Sequence, residues 1–131
     1  MRDSIFTKII KGILPAFKIH ENKDFIAFLD IQPLTKGHTL VVPKIQVDYL
    51  YDLPEKTIGE MMIFSKHVAK KIESKVSCKR IGVAVIGLEV PHAHIHLIPI
   101  NNVSDMNFDK EKLKLTNSEL NDIANLINEA N

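Results

Sequence analysis

The stretch His92-Ala93-His94-Ile95-His96-Leu97-Ile98 decides how this chain folds, because histidine and apolar residues alternate in it. Successive side chains of a β-strand point to opposite faces, so the three imidazoles are expected on one face and Ala93, Ile95 and Leu97 on the other. The apolar face can enter a core. The other face then carries three groups that titrate near neutrality and can act as nucleophile, acid or base. The pattern predicts a strand over 92–100 with a candidate active site on one side.

The segments on either side of this strand predict an α+β domain. Strands are expected at 16–20, 25–29, 38–43 and 80–86, with helices at 4–11, at 54–75 and after residue 116. Two pairs, Asp52–Glu55 and Thr116–Glu119, are predicted to cap the second and third helices. The long helix carries an apolar stripe: Ile58, Met61, Met62, Ser65, Val68, Ala69, Ile72 and Val76. We predict a meandering antiparallel sheet of about five strands, one long helix and short N- and C-terminal helices.

The composition is that of one globular domain. The chain has 131 residues, of which 45% are apolar and 25% charged, so we expect a single domain over 1–131, with a core at 4–100 and a C-terminal extension at 101–131. A net charge of +1 gives no reason to expect nucleic acid or a membrane surface as partner. The one cysteine, Cys78, suits a reducing compartment, and the N-terminus lacks a signal-peptide core. We therefore expect a cytoplasmic protein.

A metal site is a rival explanation for the aligned histidines, beside chance alignment of solvent-exposed side chains. Alternate strand residues lie about 6.7 Å apart and the outer two about 13 Å, whereas zinc binds nitrogen at about 2.0–2.1 Å. Two of the three could ligate a metal with help from elsewhere. The sequence holds no C-x-x-C or H-E-x-x-H motif to supply that help. We therefore expect neither a metal nor a cofactor.

The alternation at 92–98 also resembles the signature of the histidine-triad family, in which H-x-H-x-H is followed by two hydrophobic residues. Three further segments, 4–15, 25–33 and 37–44, resemble other parts of that family in the same order and spacing. The Hint-like branch fits best by length. The resemblance implies a HIT-like fold, a purine nucleotide as substrate, and attack by the middle histidine on the α-phosphorus. The nucleotidyl-histidine intermediate would then be hydrolysed by water.

The resemblance implies a role for each histidine. His94 would be the nucleophile, and His96 would face the phosphate and the leaving group, where a protonated imidazole can neutralise developing charge. His92 would support the group and fix its tautomers, and His38 resembles the family's fourth active-site histidine. Hint-like proteins pair through the long helix and an edge strand, so a homodimer is also implied.

The resemblance also implies a nucleoside pocket. A purine needs an apolar slot and the ribose diol needs an acceptor. The slot would be lined by Ile5, Phe6, Ile9, Phe28 and Ile31, and Asp30 would accept from the ribose hydroxyls. The apolar set could equally be plain core, and Asp30 could be a turn residue ahead of Pro33.

Two departures from the family pattern bear on function. The loop before the histidines is short and places Leu88 where the family usually has a phosphate-holding glutamine. Beside it, the backbone N–H of Gly87 can bind phosphate, whereas the charge of Glu89 opposes an anion unless it points away or pairs. Ser4 and Thr7 stand where some members carry a zinc-binding Cys-x-x-Cys, so structural zinc is not expected.

Three functions follow from the sequence. The first is a hydrolase of nucleoside phosphoramidates or related nucleotide conjugates. The second is a nucleotide-binding module with little or no turnover, which the substitution at Leu88 favours. The third is a metal-binding histidine cluster.

Overall fold

The computed structural model describes residues 2–130, so the two ends of the predicted domain, Met1 and Asn131, lie outside the described residues. The helices are α1 (Ile5–Ile10), α2 (Glu55–Glu73) and α3 (Asn117–Asn128). The strands are β1 (Lys18–Glu21), β2 (Phe25–Leu29), β3 (Thr39–Pro43), β4 (Arg80–Ala84) and β5 (Ile95–Ile100), and Leu50–Asp52 and Val103–Met106 form 3-10 turns. Among residues 2–130, no helix is both long enough and apolar enough to cross a membrane.

The five strands form one antiparallel sheet in the order β1-β2-β3-β5-β4. Strands β1 to β3 are adjacent in sequence and in space. The chain then crosses over through α2 to the edge position of β4 and returns as β5 between β3 and β4. The predicted α+β fold with five antiparallel strands is confirmed, and the crossover is the one interruption of the meander. It places the histidine-bearing segment beside β3, near the middle of the sheet.

The two faces of the sheet bury two separate apolar clusters. Side chains on one face, among them Ala93, Ile95 and Leu97, join the main core beneath α2 and α3. The other face carries a smaller cluster of Phe6, Ile26, Phe28, Leu40 and Val42. Because Leu40 is paired in register with His96, the histidines share the face that α1 covers. The predicted separation of apolar and histidine faces is therefore confirmed.

Strand β5 is shorter than predicted, because it begins at Ile95 and not at His92. The register pairs Val41 with Ile95, so the next two pairs would join Val42 to His94 and Pro43 to Ala93. Proline has no N–H to donate, and the Pro43 carbonyl accepts from the ring of His92 at 2.8 Å instead. The ladder therefore ends, and the first two histidines precede the strand.

Four smaller predictions were also wrong. Strand β1 spans Lys18–Glu21 instead of the predicted 16–20, and β4 ends at Ala84, two residues earlier than predicted. Asp52 lies in a 3-10 turn, so Pro54 occupies the N-cap of α2 without a side-chain hydrogen bond. Met62 is 51% exposed and faces away from the core that the rest of the stripe joins. By contrast, the capping box of Thr116 and Glu119 is confirmed at the start of α3.

Helix α3 belongs to the main core, although the sequence placed it in an extension. Its residues Leu120, Ile123, Ala124 and Ile127 are buried in the same cluster as the inner face of α2. The boundary predicted near residue 100 therefore does not separate two packing units.

Truncating Ile127 tests this contribution. Ile127→Ala should lower the free energy of unfolding by about 2–5 kcal/mol, because the side chain is fully buried and the cavity cannot collapse completely. Val103→Ala, at a side chain 91% exposed, is the matched control and should change it by no more than about 0.5 kcal/mol. Denaturant titration of both variants measures the difference. Equal effects would show that α3 does not share the core.

Candidate active site

Four histidines meet on the α1 face of the sheet. His38 comes immediately before β3, His96 lies in β5, and His92 and His94 approach that strand. All four are buried. The rings of His94 and His96 are 5.0 Å apart between centroids, and those of His38 and His96 are 5.2 Å apart. The structure thus brings together the histidines that the sequence singled out.

The first two histidines of the triad have their ring protons fixed by backbone carbonyls. The Nε2 of His92 lies 2.8 Å from the Pro43 carbonyl, and the Nδ1 of His94 lies 2.7 Å from the His92 carbonyl. A carbonyl oxygen only accepts, so each of these nitrogens carries the proton. In neutral His94 the Nε2 is therefore left with a free lone pair.

The other two histidines are fixed from a backbone donor. The N–H of Leu34 lies 3.0 Å from the Nδ1 of His38, so this nitrogen accepts and the Nε2 of His38 carries the proton. That Nε2 lies 2.9 Å from the Nδ1 of His96 and donates to it. The remaining proton of neutral His96 is then on its Nε2. The site thus presents a lone pair on His94 and an N–H donor on the neighbouring His96.

Burial keeps these imidazoles neutral. It lowers the pKa of His38 to about 3, with a smaller effect from His96. It lowers the pKa of His96 to about 4, with a smaller effect from His94. Burial also lowers the pKa values of His92 and His94. At neutral pH His96 is therefore neutral and offers an N–H donor, whereas the sequence-based expectation for its role was a protonated imidazole.

Asp30 completes the group on the side of His38. Its Oδ2 lies 3.5 Å from the Nε2 of His38, and its Oδ1 accepts from the N–H of Gln32 at 2.9 Å. Burial raises the pKa of the Asp30 carboxyl, as does the charge of Glu89, while Gln32 and Lys112 oppose the rise. Asp30 is thus a half-buried acceptor beside the histidine cluster, in addition to being the turn residue that its position before Pro33 suggested.

Asp30, His38 and His96 place one ligand atom each within 4.8 Å of one another, which is close enough to surround a metal ion. Their hydrogen bonds do not fit that use. A metal-bound histidine donates its other N–H to an acceptor, but the Nδ1 of His38 faces the N–H of Leu34. Binding a metal at Nε2 would place a proton on Nδ1 against that donor. The trio is therefore better suited to hydrogen bonding than to metal binding.

Aromatic side chains form the apolar wall of the site. The ring of Phe6 lies 5.0 Å from that of His94 and 5.5 Å from that of Phe28, in edge-to-face arrangements. Ile9 is half-buried against the same cluster, whereas Ile5 and Ile31 are 55% and 65% exposed. Phe6 and Phe28 are thus both core residues and neighbours of the histidines. That all five residues line a nucleoside slot stays a prediction.

The loop before the triad provides little side-chain chemistry. Gly87 has φ of +73°, a backbone conformation that glycine adopts without strain, and Leu88 is 88% exposed. Glu89 is also exposed, and its negative charge raises the pKa values of His94 and Asp30. The loop therefore supplies no side-chain donor at position 88. Contacts of Gly87 and Glu89 with a nucleotide stay predictions.

Sequence reasoning missed two contributors to the site. Gln46 accepts from the backbone N–H of Ser4 and from the hydroxyl of Thr7. Phe108 packs its ring edge-on to His96 at 4.9 Å. No motif or periodic pattern in the sequence marks either residue, because Gln46 lies in an irregular segment and Phe108 in the stretch expected to be irregular. Their roles depend on contacts with residues distant in sequence.

The fold and the histidine cluster define an α+β domain of the histidine-triad class. A family model described as HIT domain matches residues 11–103. Adenosine 5'-monophosphoramidase HNT1 of Saccharomyces cerevisiae is 41% identical over 97 residues, which are 72% of this chain and 61% of that protein. Adenosine 5'-monophosphoramidase hnt1 of Schizosaccharomyces pombe is 34% identical over 99 residues, 75% of this chain and 74% of that protein.

Comparison of structures agrees with the family match. A Hit-like protein from Bartonella henselae superposes with a TM-score of 0.84 at 28% identity, over 98% of this chain and 97% of that one. The chain belongs to the HIT, or histidine-triad, family, as the sequence pattern predicted.

The neutral, buried histidines predict how stability depends on pH. In the unfolded chain, histidines bind protons below about pH 6.5. In the folded protein, His38 and His96 bind protons only near their lowered pKa values of about 3 and about 4. Unfolding then takes up protons, so stability is complete above that pH and falls as pH decreases. Each group contributes up to about 1.4 kcal/mol per pH unit.

Denaturant titrations at several pH values from 7 to 5 would measure this slope. His96→Gln should reduce the slope, because one buried imidazole is lost. His67→Gln is the matched control, because it removes an exposed histidine of α2 and leaves His38 and His96 in place. A free energy of unfolding that is constant between pH 7 and pH 5 would contradict the prediction.

Proposed function

We propose that the protein is a hydrolase that cleaves nucleoside phosphoramidates or related purine nucleotide conjugates at the α-phosphorus. One observation carries the proposal: the hydrogen bonds leave a lone pair on the Nε2 of His94 and a proton on the Nε2 of His96. A nucleophile and a donor thus stand side by side on two buried side chains. This arrangement is what nucleophilic substitution at phosphorus requires.

The reaction has two steps. The lone pair of His94 Nε2 forms a bond to the α-phosphorus while the bond from phosphorus to the leaving nitrogen breaks. The leaving nitrogen takes a proton from solvent and departs as a neutral amine, and the neutral His96 donates a hydrogen bond from its Nε2–H to the reacting group. The imidazole of His94 becomes cationic, and its Nδ1–H remains bonded to the His92 carbonyl. Water then attacks the phosphorus, the bond between phosphorus and His94 Nε2 breaks, and the mononucleotide is released. One proton of the water passes to solvent, which replaces the proton taken up in the first step, and His94 is neutral again.

The nucleoside would lie along the apolar wall beside α1. Phe6 and Phe28 are positioned to contact a purine, and the Asp30 carboxylate could accept from the ribose hydroxyls. The names of the two yeast relatives, both adenosine 5'-monophosphoramidases, support this substrate class. The match covers less than two thirds of the S. cerevisiae protein, so its full activity extends to this chain only as part of the proposal.

A nucleotide-binding module with little turnover is the second candidate. The exposed Leu88 and the nearby charge of Glu89 favour it, since neither supplies a donor to a developing negative charge. Formation of a nucleotidyl adduct on His94 distinguishes the two, because only the enzyme forms this intermediate.

Removing the nucleophile is the direct test. His94→Ala should reduce hydrolysis of adenosine phosphoramidate by roughly 10⁴-fold or more, because the covalent path is lost. Nucleotide affinity and melting temperature should stay near those of the wild type. Steady-state kinetics and calorimetry measure these quantities.

His67→Ala, which removes an exposed histidine of α2, is the matched control and should retain wild-type turnover. Mass spectrometry of the wild type quenched during turnover should show one nucleotidyl group, which His94→Ala lacks. Turnover near the wild-type rate in His94→Ala would exclude the mechanism.

We further propose that the protein is a two-fold homodimer formed through α2 and β4. Exposed apolar side chains lie on these two neighbouring elements and on the loop after β4: Met62, Ile63, Val83, Val85, Ile86 and Leu88. Within the described residues, β4 is also an edge strand, which can pair with a second copy.

The expected cytoplasmic location also stays a prediction, to be tested by fractionation.

Placing a charge on this surface should separate the subunits. Ile63→Asp should shift the sedimentation coefficient from dimer to monomer at micromolar concentration, because the carboxylate would be buried without a partner. Ile13→Asp, at a side chain 62% exposed in the turn after α1, should leave the dimer intact, because α1 packs on the other face of the sheet from α2. A wild-type protein that sediments as a monomer would refute the assembly.

A further inference from the structure

A network of hydrogen bonds connects the start of α1 to the histidine that precedes the nucleophile. Ser4, the N-cap of α1, places its Oγ 2.7 Å from the Nδ1 of His92 and accepts from the Thr7 N–H at 2.9 Å. Gln46 accepts from the Ser4 N–H at 2.8 Å and from the Thr7 hydroxyl at 2.6 Å. Ser4, Thr7 and His92 are buried, so these groups depend on one another for partners.

The position of each proton in this network follows from the partners. The Nε2 of Gln46 donates to the carbonyl of Arg2 at 2.7 Å, which orients the amide so that its oxygen faces Ser4 and Thr7. The Thr7 hydroxyl donates its proton to that oxygen. Its contact with His92 Nδ1 is long, at 3.4 Å, so this nitrogen depends on another donor.

The hydroxyl of Ser4 is that donor. Its single proton has two neighbours, the Nδ1 of His92 at 2.7 Å and the Oγ1 of Thr7 at 3.2 Å. The shorter contact is to a nitrogen whose lone pair is free, because the other ring nitrogen of His92 donates to the Pro43 carbonyl. The proton of Ser4 therefore belongs to the bond with His92.

The network reaches the nucleophile through the backbone of His92. The carbonyl of this residue accepts from the Nδ1 of His94 at 2.7 Å, and that bond leaves the Nε2 of His94 unprotonated. Holding the ring of His92 between Ser4 and Pro43 also holds its carbonyl. Phe6, on the same helix, packs against the rings of His92 and His94 at 5.8 and 5.0 Å.

We propose that Ser4 and Gln46 are positioning residues that act through His92 to keep His94 in the tautomer with a free Nε2 lone pair. The proposal rests on the proposed function for its effect on catalysis, but the tautomer is a property of the protein without substrate. Ser4 supplies the proton that His92 Nδ1 accepts. Gln46 takes the proton of Thr7 and so keeps the proton of Ser4 available to His92.

The first test compares two N-cap variants. Ser4→Ala removes both a helix cap and the donor to His92, whereas Thr116→Ala removes only a cap, at the start of α3. Each loses roughly 1 kcal/mol of stability from the cap. Only Ser4→Ala should lower kcat on adenosine phosphoramidate, by roughly 10-fold to 10⁴-fold with KM little changed, as when a histidine-orienting group is lost. Equal kcat values in the two variants would overturn the proposal.

The second test measures the tautomers without substrate. Nitrogen-15 spectra of histidine-labelled protein distinguish a protonated from an unprotonated ring nitrogen. In the wild type, His92 should be protonated at Nε2 and His94 at Nδ1. In Ser4→Ala the signal of His92 Nδ1 should move to that of a nitrogen without a hydrogen-bond donor, and the signals of His94 should shift toward mixed tautomers. Wild-type positions for both residues in Ser4→Ala would overturn the proposal.

Two substitutions at Ser4 separate the cap from the donor. Ser4→Thr retains the hydroxyl and should restore kcat and the wild-type spectrum. Ser4→Asp retains the cap but offers only an acceptor, so His92 should become protonated at both nitrogens. Failure of Ser4→Thr to restore either readout would count against a donor role. If the wild type itself hydrolyses no phosphoramidate, the proposed function fails while the spectra still decide the positioning role.

Discussion

The arrangement of protons in the site depends on three backbone groups, the N–H of Leu34 and the carbonyls of Pro43 and His92. A neutral imidazole has one proton for two nitrogens, so a fixed donor or acceptor at one nitrogen determines the state of the other. These groups cannot titrate, and they belong to segments held by the sheet. The site therefore keeps a lone pair on His94 and a proton on His96 without any charged partner. Burial reinforces this neutral state, because it destabilises the protonated form of each histidine and so lowers its pKa.

The same backbone groups explain why the sheet ends where it does. At Pro43 the strand lacks a donor, and its carbonyl bonds to a side chain rather than to the neighbouring strand. His92 and His94 thereby leave the regular ladder and can adopt the path that brings the Nδ1 of His94 to a carbonyl two residues earlier. If the strand continued through His92, the carbonyl of this residue would instead lie in the plane of the sheet and point to a neighbouring strand. The site thus lies where the ladder of backbone hydrogen bonds ends, and backbone carbonyls there accept from histidine side chains.

Much of this fold could be predicted from local sequence, because its elements follow local rules. Strand β2 and the capping box of Thr116 depend on periodicity and on residues three apart, and both were predicted correctly. The predicted start of β5 was wrong because the true start depends on which residue of β3 faces it across the sheet. Gln46 was missed for the same reason, since its partners Ser4 and Thr7 lie about 40 residues away. Alternation identified the histidines but could not assign their protons, which depend on backbone groups placed by the fold, such as the carbonyl of Pro43 beside His92.

A strand near the start of the sequence packs against the last helix in the folded domain, and this affects how the protein is made. Helix α3 packs against β1, and the side chain of Asn128 donates to the carbonyl of Lys18 across 110 positions of sequence. During synthesis the first strands emerge long before the residues that cover them. The apolar face of the early hairpin must therefore remain uncovered, in a form vulnerable to aggregation, until translation reaches α3. Completion of this core therefore has to wait for the synthesis of α3, about 100 residues after that of β1.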